Sequence, residues 1–286
     1  MRDRASHRRW MDRAMRALCY LAAVVAVFPL IDILYQIGAR AIPSMGSYLF
    51  TQPVQGNAGG LENAILGTLL LVSLGIAIAA PLGIFGGIYL AEFGRTGPFG
   101  QAVRFTTDVL AGVPSIVIGY FGYVTLVVGL GWKFSALAGA IALALMALPY
   151  IMRATELAFR SLPDDLREAS LALGAGEVTT VFRVLWRPAM PGLITGVLLA
   201  VSIGLGETAP LIYTAGWSVF LPTGQLIGSP VGYLTYVIWT FINNPFAASH
   251  ALAYAAAFLL ILFILVVNVV VRRLVGRLNP GLQRGG

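Results

Sequence analysis

The chain has 286 residues, of which 58% are hydrophobic and only 11% are charged. Soluble domains carry about 25% charged residues, so the composition indicates an integral membrane protein rather than a soluble domain. The net charge of +7 comes from arginines that flank apolar segments, which fits the positive-inside rule better than nucleic-acid binding.

Several chemistries lack the residues that they need. The single cysteine, Cys19, cannot form an intrachain disulfide or hold an iron–sulfur cluster. His7 and His250 do not have the spacing of a zinc hydrolase motif. The only lysine, Lys133, is not followed by Ser or Thr, so the chain has no Walker A loop. If the protein is part of an ATP-driven machine, the ATPase is therefore another chain.

The first 60 residues predict a basic tail, one span and a loop. Residues 1–16 carry six arginines, and residues 17–37 are apolar and long enough to cross a bilayer. More spans follow and no cleavage site stands out, so we interpret 17–37 as a retained span rather than a signal peptide. The Gly- and Pro-containing residues 39–61 are predicted to be an external loop.

Five more apolar segments follow, so the sequence predicts an all-α membrane protein with six transmembrane helices. These segments are 63–90, 109–130, 135–152, 189–213 and 251–271. In the second, Pro81 and the neighbouring glycines predict a kink and close helix packing. The polar residues 92–108 are predicted to be cytoplasmic.

The distribution of basic residues predicts the orientation. Six spans place both termini on one side, and seventeen of the nineteen Lys and Arg residues then lie on that side. Only Arg40 and Lys133 lie on the other. The positive-inside rule therefore predicts that both termini are cytoplasmic.

A long polar insertion, 162–192, is predicted to contain a short surface helix. Pro163 suits a first helical turn, and two aspartates follow at the positive end of the helix dipole. Gly174 is a natural helix stop.

This predicted helix carries one apolar stripe, formed by Leu166, Ala169 and Leu173. A short amphipathic helix between two spans is suited to docking in a groove of another protein. The residues alone leave an ordinary surface loop open as the alternative.

One carboxylate, Glu207, falls deep inside the fifth span. A charged residue there costs roughly 2.5 to 3.5 kcal/mol on insertion scales, and such residues usually face a bundle interior or a wet cavity. Pro210 and two preceding glycines predict a local break that exposes backbone groups. A structural hydrogen bond to a neighbouring helix is the alternative to a functional role.

Residues 214–250 contain no Asp, Glu, Lys or Arg but are rich in aromatic residues, which prefer the membrane interface. We predict a short helix over 231–242 that lies against the outer face. An unusually apolar loop and a docking or vestibule surface are both open.

Several segments resemble one family, the A-type permease subunits of phosphate-specific (Pst) ABC importers. The resemblance covers about residues 60–270 and rests on the runs GETAPL (206–211), AGVPSIVIG (111–119), NAILGT (63–68), IYLAE (88–92) and 148–173. Glu168-Ala169-Ser170, near the end of the last run, and Gly174, directly after it, resemble the EAA loop of ABC permeases. Two departures are Ile203, where the family often carries Arg, and Val184 to Pro188, where it continues with an apolar residue and Leu-Pro.

This resemblance implies a domain organisation and two sets of functional residues. It implies a tail at 1–16, a first helix and external loop at 17–60, an ABC permease domain at 61–272 with its coupling loop at 153–188, and a cytoplasmic tail at 273–286. The implied translocation pathway contains Glu207, Thr208, Pro210, Pro114 and Ser115. The implied ATPase-coupling residues are Asp165, Arg167, Glu168, Ala169, Leu173 and Gly174.

The resemblance also implies a function and partners. The chain is expected to be a non-catalytic half of a phosphate importer in the bacterial inner membrane. It is expected to work with a C-type permease, two copies of a cytoplasmic ATPase that holds ATP and Mg, and an external phosphate-binding protein. No cofactor is expected on this chain. The alternatives are a permease for molybdate, sulfate or phosphonate, and a self-sufficient secondary transporter.

Overall fold

The computed structural model describes residues 2–278 and is mainly helical. Its α-helices are α1 Arg2–Ala41, α2 Tyr48–Thr51, α3 Glu62–Ile88, α4 Pro98–Gly112, α5 Ser115–Gly122, α6 Ala136–Arg160, α7 Asp164–Ala172, α8 Glu177–Thr179, α9 Trp186–Gly206, α10 Ala209–Thr214, α11 Leu234–Ile242 and α12 Ala247–Leu278. Three π-helical segments, Tyr89–Phe93, Tyr123–Gly129 and Thr180–Leu185, adjoin α3, α5 and α9. A 3-10 turn at Ile42–Ser44 and a small antiparallel hairpin, β1 Val54–Gln55 and β2 Ala58–Gly59, follow α1. The predicted tail beyond 278 lies outside the described residues.

Five helical stretches are long and apolar enough to cross a membrane. They are Trp10–Ser44, Glu62–Phe93, Ala136–Arg160, Glu177–Gly206 and Ala247–Val270. These stretches confirm the predicted helical membrane fold and its first, second, fourth, fifth and sixth spans.

The predicted third span, 109–130, is not one continuous helix. Its residues are divided between α4, which begins at Pro98, and α5 with the π-helical segment after it; the two parts are bent by 101°. The bend lies at Val113 and Pro114, whose backbones are extended, with ψ of 128° and 137°. Proline disfavours the helical conformation in the residue before it, which ends α4 there. Counted as one broken span, the pair gives a sixth crossing.

The centre of the bundle is the seam between α3 and α6, where glycines bring the two backbones into contact. A methyl group added at Gly83 would lie 2.8 Å from Cβ of Ile151, and one added at Gly87 would lie 2.6 Å from the carbonyl oxygen of Met152. These distances confirm the predicted close packing of the second span. α3 itself runs through Pro81 without interruption.

α1 lies at the edge of the bundle and packs against α12. Its large apolar side chains, including Phe28 and Ile31, are exposed. Near its end, the Arg40 guanidinium lies over the ring of Tyr254, 4.9 Å from the ring centroid.

The two ends of the bundle differ in chemistry. One end, called the basic end below, contains α7 and the side chains of Arg95, Arg104, Arg153, Arg160 and Arg167. The other end contains the hairpin and the uncharged residues 215–242. The predicted helix in this uncharged segment is α11, and its first turn is buried inside the bundle rather than placed on the outer surface: Leu234 is fully buried and Thr235 is 5% exposed.

Candidate functional site

The fifth span is broken at the intramembrane carboxylate. α9 ends at Gly206, Glu207 is extended with φ −73° and ψ 133°, and α10 begins at Ala209. Pro210 lies in the first turn of α10, where its missing N–H costs no hydrogen bond. The predicted break is therefore confirmed, and it frees backbone groups in the interior of the bundle.

This break lies beside the bend of the α4–α5 pair. α5 packs directly on α10: a methyl group added at Gly119 would lie 2.6 Å from Cα of Pro210. At the start of α5, the hydroxyl of Ser115 lies close enough to interact with the carboxylate of Glu207. Two interrupted helices thus meet at their interruptions.

The structure brings together the residues that the sequence predicts for a translocation pathway. Pro114 and Ser115 come from one interruption, and Glu207, Thr208 and Pro210 come from the other. Pro114 is exposed, Glu207 and Thr208 are half-buried, and Pro210 is buried. The group therefore extends from the surface of the chain into its packed interior.

Glu207 is not part of an ion pair in the described part of the chain. The salt bridges found within residues 2–278 all lie at the basic end. One helical turn before the carboxylate stands the uncharged Ile203. Among the described residues, the carboxylate thus has a hydroxyl neighbour, Ser115, and no paired cation.

α7 confirms the predicted surface helix at the basic end, and its predicted apolar stripe faces outward. Leu166 and Ala169 are exposed, and Leu173 is 89% exposed. Gly174 follows with φ +80°, a left-handed conformation that glycine adopts without strain and that ends the helix.

The acidic residues predicted for coupling share this exposed side of α7, whereas its inner side is held by the chain. Asp165 and Glu168 are exposed. The buried hydroxyl of Ser170 hydrogen-bonds the hydroxyl of Thr180 at 2.8 Å. Pro163 precedes the helix as its N-cap residue rather than standing in the first turn.

Arg167, the remaining predicted coupling residue, faces the bundle instead. Only 12% of its side chain is exposed. Nε donates to Oε2 of Glu92 at 3.0 Å and Nη2 donates to Oε1 at 2.7 Å, a bidentate pair. The carboxylates of Glu92 and Asp164 raise the pKa of Arg167, so the guanidinium is charged at any physiological pH.

The guanidinium of Arg167 also binds the backbone at the end of α6. Nη2 donates to the carbonyl of Phe159 at 2.6 Å, and Nη1 donates to the carbonyl of Leu162 and to Asp164, both at 3.0 Å. A guanidinium has five N–H donors, and these contacts engage all of them. Arg167 therefore joins α7 to the ends of α3 and α6.

A second junction at the basic end was missed from the sequence. Glu156 is buried on α6 and pairs with Arg104 of α4 at 2.8 Å and with Arg160 at 3.0 Å. Nη2 of Arg104 also donates to the carbonyl of Leu90 at 2.6 Å. The i, i+4 spacing of Glu156 and Arg160 could have indicated that the helix continues beyond residue 152. No local sequence pattern indicates the contact between Glu156 and Arg104 of α4.

The described residues contain no group of three or more His, Cys, Asp or Glu side chains that could hold a metal ion. The described residues thus form a helical bundle with paired helix interruptions inside it and an exposed helix anchored at its basic end.

The fold is that of an ABC importer permease. The chain is similar to an inward-facing form of the MetNI methionine ABC transporter, with a TM-score of 0.60 over 82% of this chain and 99% of that one. A second form of the same transporter gives a TM-score of 0.56 over 77% and 94%. The sequence identities are 20% and 21%, so the likeness concerns the fold.

The chain belongs to the family described as binding-protein-dependent transport system inner membrane component, whose profile matches residues 81–284. Within it, the chain is 44% identical to the phosphate transport system permease protein PstA 2 of Mycobacterium bovis, over 99% of this chain and 92% of that protein. It is 39% identical to PstA of Haemophilus influenzae, over 93% and 94%. These findings confirm the resemblance to Pst permeases and a multi-pass inner-membrane protein.

Proposed function

We propose that this chain is a permease subunit of an ATP-driven importer of inorganic phosphate and forms half of its passage. The observation that carries the proposal is the 44% identity to a phosphate transport system permease over 99% of the chain. The paired helix interruptions around Glu207 and the exposed helix α7 support it, because a driven passage needs both a pathway and a lever.

The proposed complex contains a second, C-type permease, two copies of an ATPase subunit and an external phosphate-binding protein. The sequence has no P-loop of its own, which supports a separate ATPase. The basic end is assigned to the cytoplasm by the positive-inside rule. The exposed stripe of Leu166, Ala169 and Leu173 then points at the compartment that holds ATP.

The anchoring of α7 supports a mechanism for coupling. Closure of the ATPases would displace α7, and the five donors of Arg167 would pass that displacement to the ends of α3 and α6. Because glycines hold α3 and α6 backbone to backbone, these two helices would move as one body. The interruptions at Pro114 and Glu207 would absorb the change of angle.

Phosphate passage past Glu207 requires that the carboxylate be neutralised, because an ionised carboxylate would repel the anion. The proposal therefore requires either a proton on Glu207 or a cation from the second permease subunit. Substitution of Glu207 by glutamine separates these two routes.

Reconstitution of the complete complex in lipid vesicles tests the proposed function. Phosphate uptake is expected only when ATP, the ATPase subunits and phosphate-loaded binding protein are all present. Phosphate, but not molybdate or sulfate, is expected to stimulate ATP hydrolysis. Vesicles that contain this chain alone are the control. Phosphate uptake by that control, or a preference of the complex for another oxyanion, would overturn the proposal.

A further inference from the structure

We infer that Thr235, in the uncharged 215–242 segment, is a positioning residue that holds the backbone of Glu207 in place in the translocation pathway. The role in transport rests on the proposed function, whereas the contact between Thr235 and Glu207 is a feature of the structure itself. It assigns a part in the passage to a segment for which the sequence offered only a surface role.

The contact lies at the interruption of the fifth span. The hydroxyl of Thr235 donates to the carbonyl oxygen of Glu207 at 2.8 Å. The next carbonyl along the chain, that of Thr208, accepts from the backbone N–H of Ile212 at 3.2 Å. The carbonyl of Glu207 is thus bonded by a side chain from another segment, whereas the carbonyl after it is bonded by the main chain of α10.

Thr235 itself is held in register by α3. The backbone N–H of the preceding residue, Leu234, donates to the hydroxyl of Thr68 at 2.9 Å. Close backbone contact reinforces this bond, because a methyl group added at Gly67 would lie 1.9 Å from the carbonyl oxygen of Gly232. Two consecutive residues, Leu234 and Thr235, therefore connect α3 to the interruption beside Glu207.

A second anchor fixes the beginning of the same segment. Asn63, fully buried at the start of α3, donates from Nδ2 to the carbonyl of Ser218 at 2.8 Å. Its Oδ1 accepts from the N–H of Val54 at 3.0 Å. Asn63, Gly67 and Thr68 all lie in the NAILGT run, so this run holds the 215–242 segment in place.

The energetic argument depends on burial. Thr235 is 5% exposed and Glu207 is half-buried, so the hydrogen bond is shielded from solvent on the side of its donor. A carbonyl left unpaired on that shielded side is costly, whereas exchange with water would be nearly neutral. Without the hydroxyl, the extended backbone at Glu207 is expected to shift, and the carboxylate shifts with it.

The test uses the complete complex in vesicles with three variants of this chain. Thr235→Val keeps the side-chain shape and removes the donor, and Thr235→Ser restores the donor. Thr107→Val is the matched control, because Thr107 is similarly buried, donates to the carbonyl of Val103 at 2.7 Å with Sδ of Met152 3.3 Å away, and has no contact with Glu207 among its hydrogen bonds. Maximal phosphate uptake per complex is expected to fall about tenfold in Thr235→Val, the value of one buried hydrogen bond. Thr235→Ser and Thr107→Val should stay within about twofold of the unchanged protein, on the same scale.

Two further readouts separate positioning from general loosening. The concentration of phosphate-loaded binding protein that gives half-maximal uptake is expected to remain unchanged in Thr235→Val, because substrate is selected before it reaches the passage. Hydrogen–deuterium exchange of a peptide that covers residues 204–212 is expected to accelerate in Thr235→Val but not in Thr107→Val.

The outcomes distinguish this inference from the proposed function. Normal exchange and normal maximal uptake in Thr235→Val would overturn the inference, as would failure of Thr235→Ser to restore uptake. An equal loss in Thr107→Val would also overturn it, because the effect would then be general. If the unchanged complex took up no phosphate, the proposed function would fail, and the exchange measurement would still decide whether Thr235 holds Glu207.

Discussion

The basic end and the interruption at Glu207 hold their parts together with different chemistry. At the basic end, Arg167 and Arg104 place charged donors on carboxylates and backbone carbonyls from three helices. At the interruption, the hydroxyl of Thr235 donates to a backbone carbonyl, and Gly119 allows α5 and α10 to approach closely. The single carboxylate there has no salt bridge within the described residues.

The difference follows from the surroundings of each region. At the basic end, the paired side chains are largely buried, with 12% of Arg167 and 10% of Glu92 exposed, and bidentate charge-assisted hydrogen bonds offset the cost of desolvation. Within a bilayer, each charged group costs several kilocalories per mole unless it is compensated. Neutral hydrogen-bond donors can hold the parts together there without that cost. The comparison predicts that substitutions of the anchoring arginines at the basic end change stability and coupling together, whereas substitutions of exposed residues on α7 or of residues at the interruption change transport alone.

Arg167→Met should cause the largest loss of stability and transport. It leaves Glu92 partly buried without its partner, and loss of one member of such a pair costs about 3 kcal/mol. The free energy of unfolding in detergent and ATP-dependent uptake should therefore both fall. Arg95→Met is the control, because Arg95 is 44% exposed and lies 3.9 Å from Asp164, and exposed pairs contribute less than about 1 kcal/mol. Equal losses in the two variants would contradict the anchoring role of Arg167.

Leu173→Asp should affect transport without affecting stability. The side chain is 89% exposed, so the free energy of unfolding should change by less than about 0.5 kcal/mol. Placing a charge on the stripe proposed to meet the ATPase should cost at least about 2 kcal/mol of binding, the scale of an interface hot spot. Copurification of the ATPase and uptake measure this, and an ATPase that stays bound and drives normal uptake would remove Leu173 from the contact.

Glu207→Leu should lower transport while leaving stability unchanged or improved. Its carboxylate costs roughly 2.5 to 3.5 kcal/mol at a membrane centre, so removing it should not destabilise the bundle. Maximal uptake should fall about tenfold if the residue lines the passage. Wild-type uptake would exclude Glu207 from the pathway.

Glu207→Gln separates the two routes to neutralisation. Uptake close to that of the unchanged protein is expected if the carboxylate normally carries a proton, because the amide is then a near-isosteric neutral replacement. A loss as large as that of Glu207→Leu would instead indicate a cation from the second permease.

Gly174→Ala should cause the smallest loss of transport. It tests the basic end alone. The position has φ +80°, which costs an L-residue about 1 to 2 kcal/mol. The helix α7 should therefore end less sharply, with a small fall in unfolding free energy and in uptake. Gly38→Ala is the control: nothing lies within 4 Å of an added methyl group inside α1, and alanine should be neutral or stabilising there. A larger loss in Gly38→Ala than in Gly174→Ala would contradict the conformational argument.

Local signals in the sequence were sufficient for much of this fold. The aspartates and Gly174 bounded α7, and Pro210 with its glycines marked the interruption of the fifth span. The interruption at Pro114 was missed because apolar residues continue on both sides, so hydropathy favoured one span although proline favoured a helix end. The resemblance grouped the candidate pathway residues, and of the two helix interruptions that carry them the sequence predicted only the one at Glu207.

Contacts between distant residues account for the rest. Glu92 and Arg167 are 75 residues apart, and Arg104 and Glu156 are 52 apart. Neither pairing has a local pattern, so the sequence grouped Arg167 with the ATPase-coupling residues of α7 and did not predict its contact with Glu92. The same limit applies to Thr235, whose partner is a backbone oxygen and therefore leaves no trace in the sequence.

Glycines along the seam of α3 and α6 should determine the order in which the helices separate during unfolding. Where two backbones touch, neither water nor a hydrocarbon tail can enter, so amide protons there should be the last to exchange with solvent. α1, with most of its apolar surface uncovered, should separate first when the membrane is replaced by a harsh detergent. Unfolding would thus proceed inward from α1 at the edge, and the pair of α3 and α6 would be the last to lose its native packing.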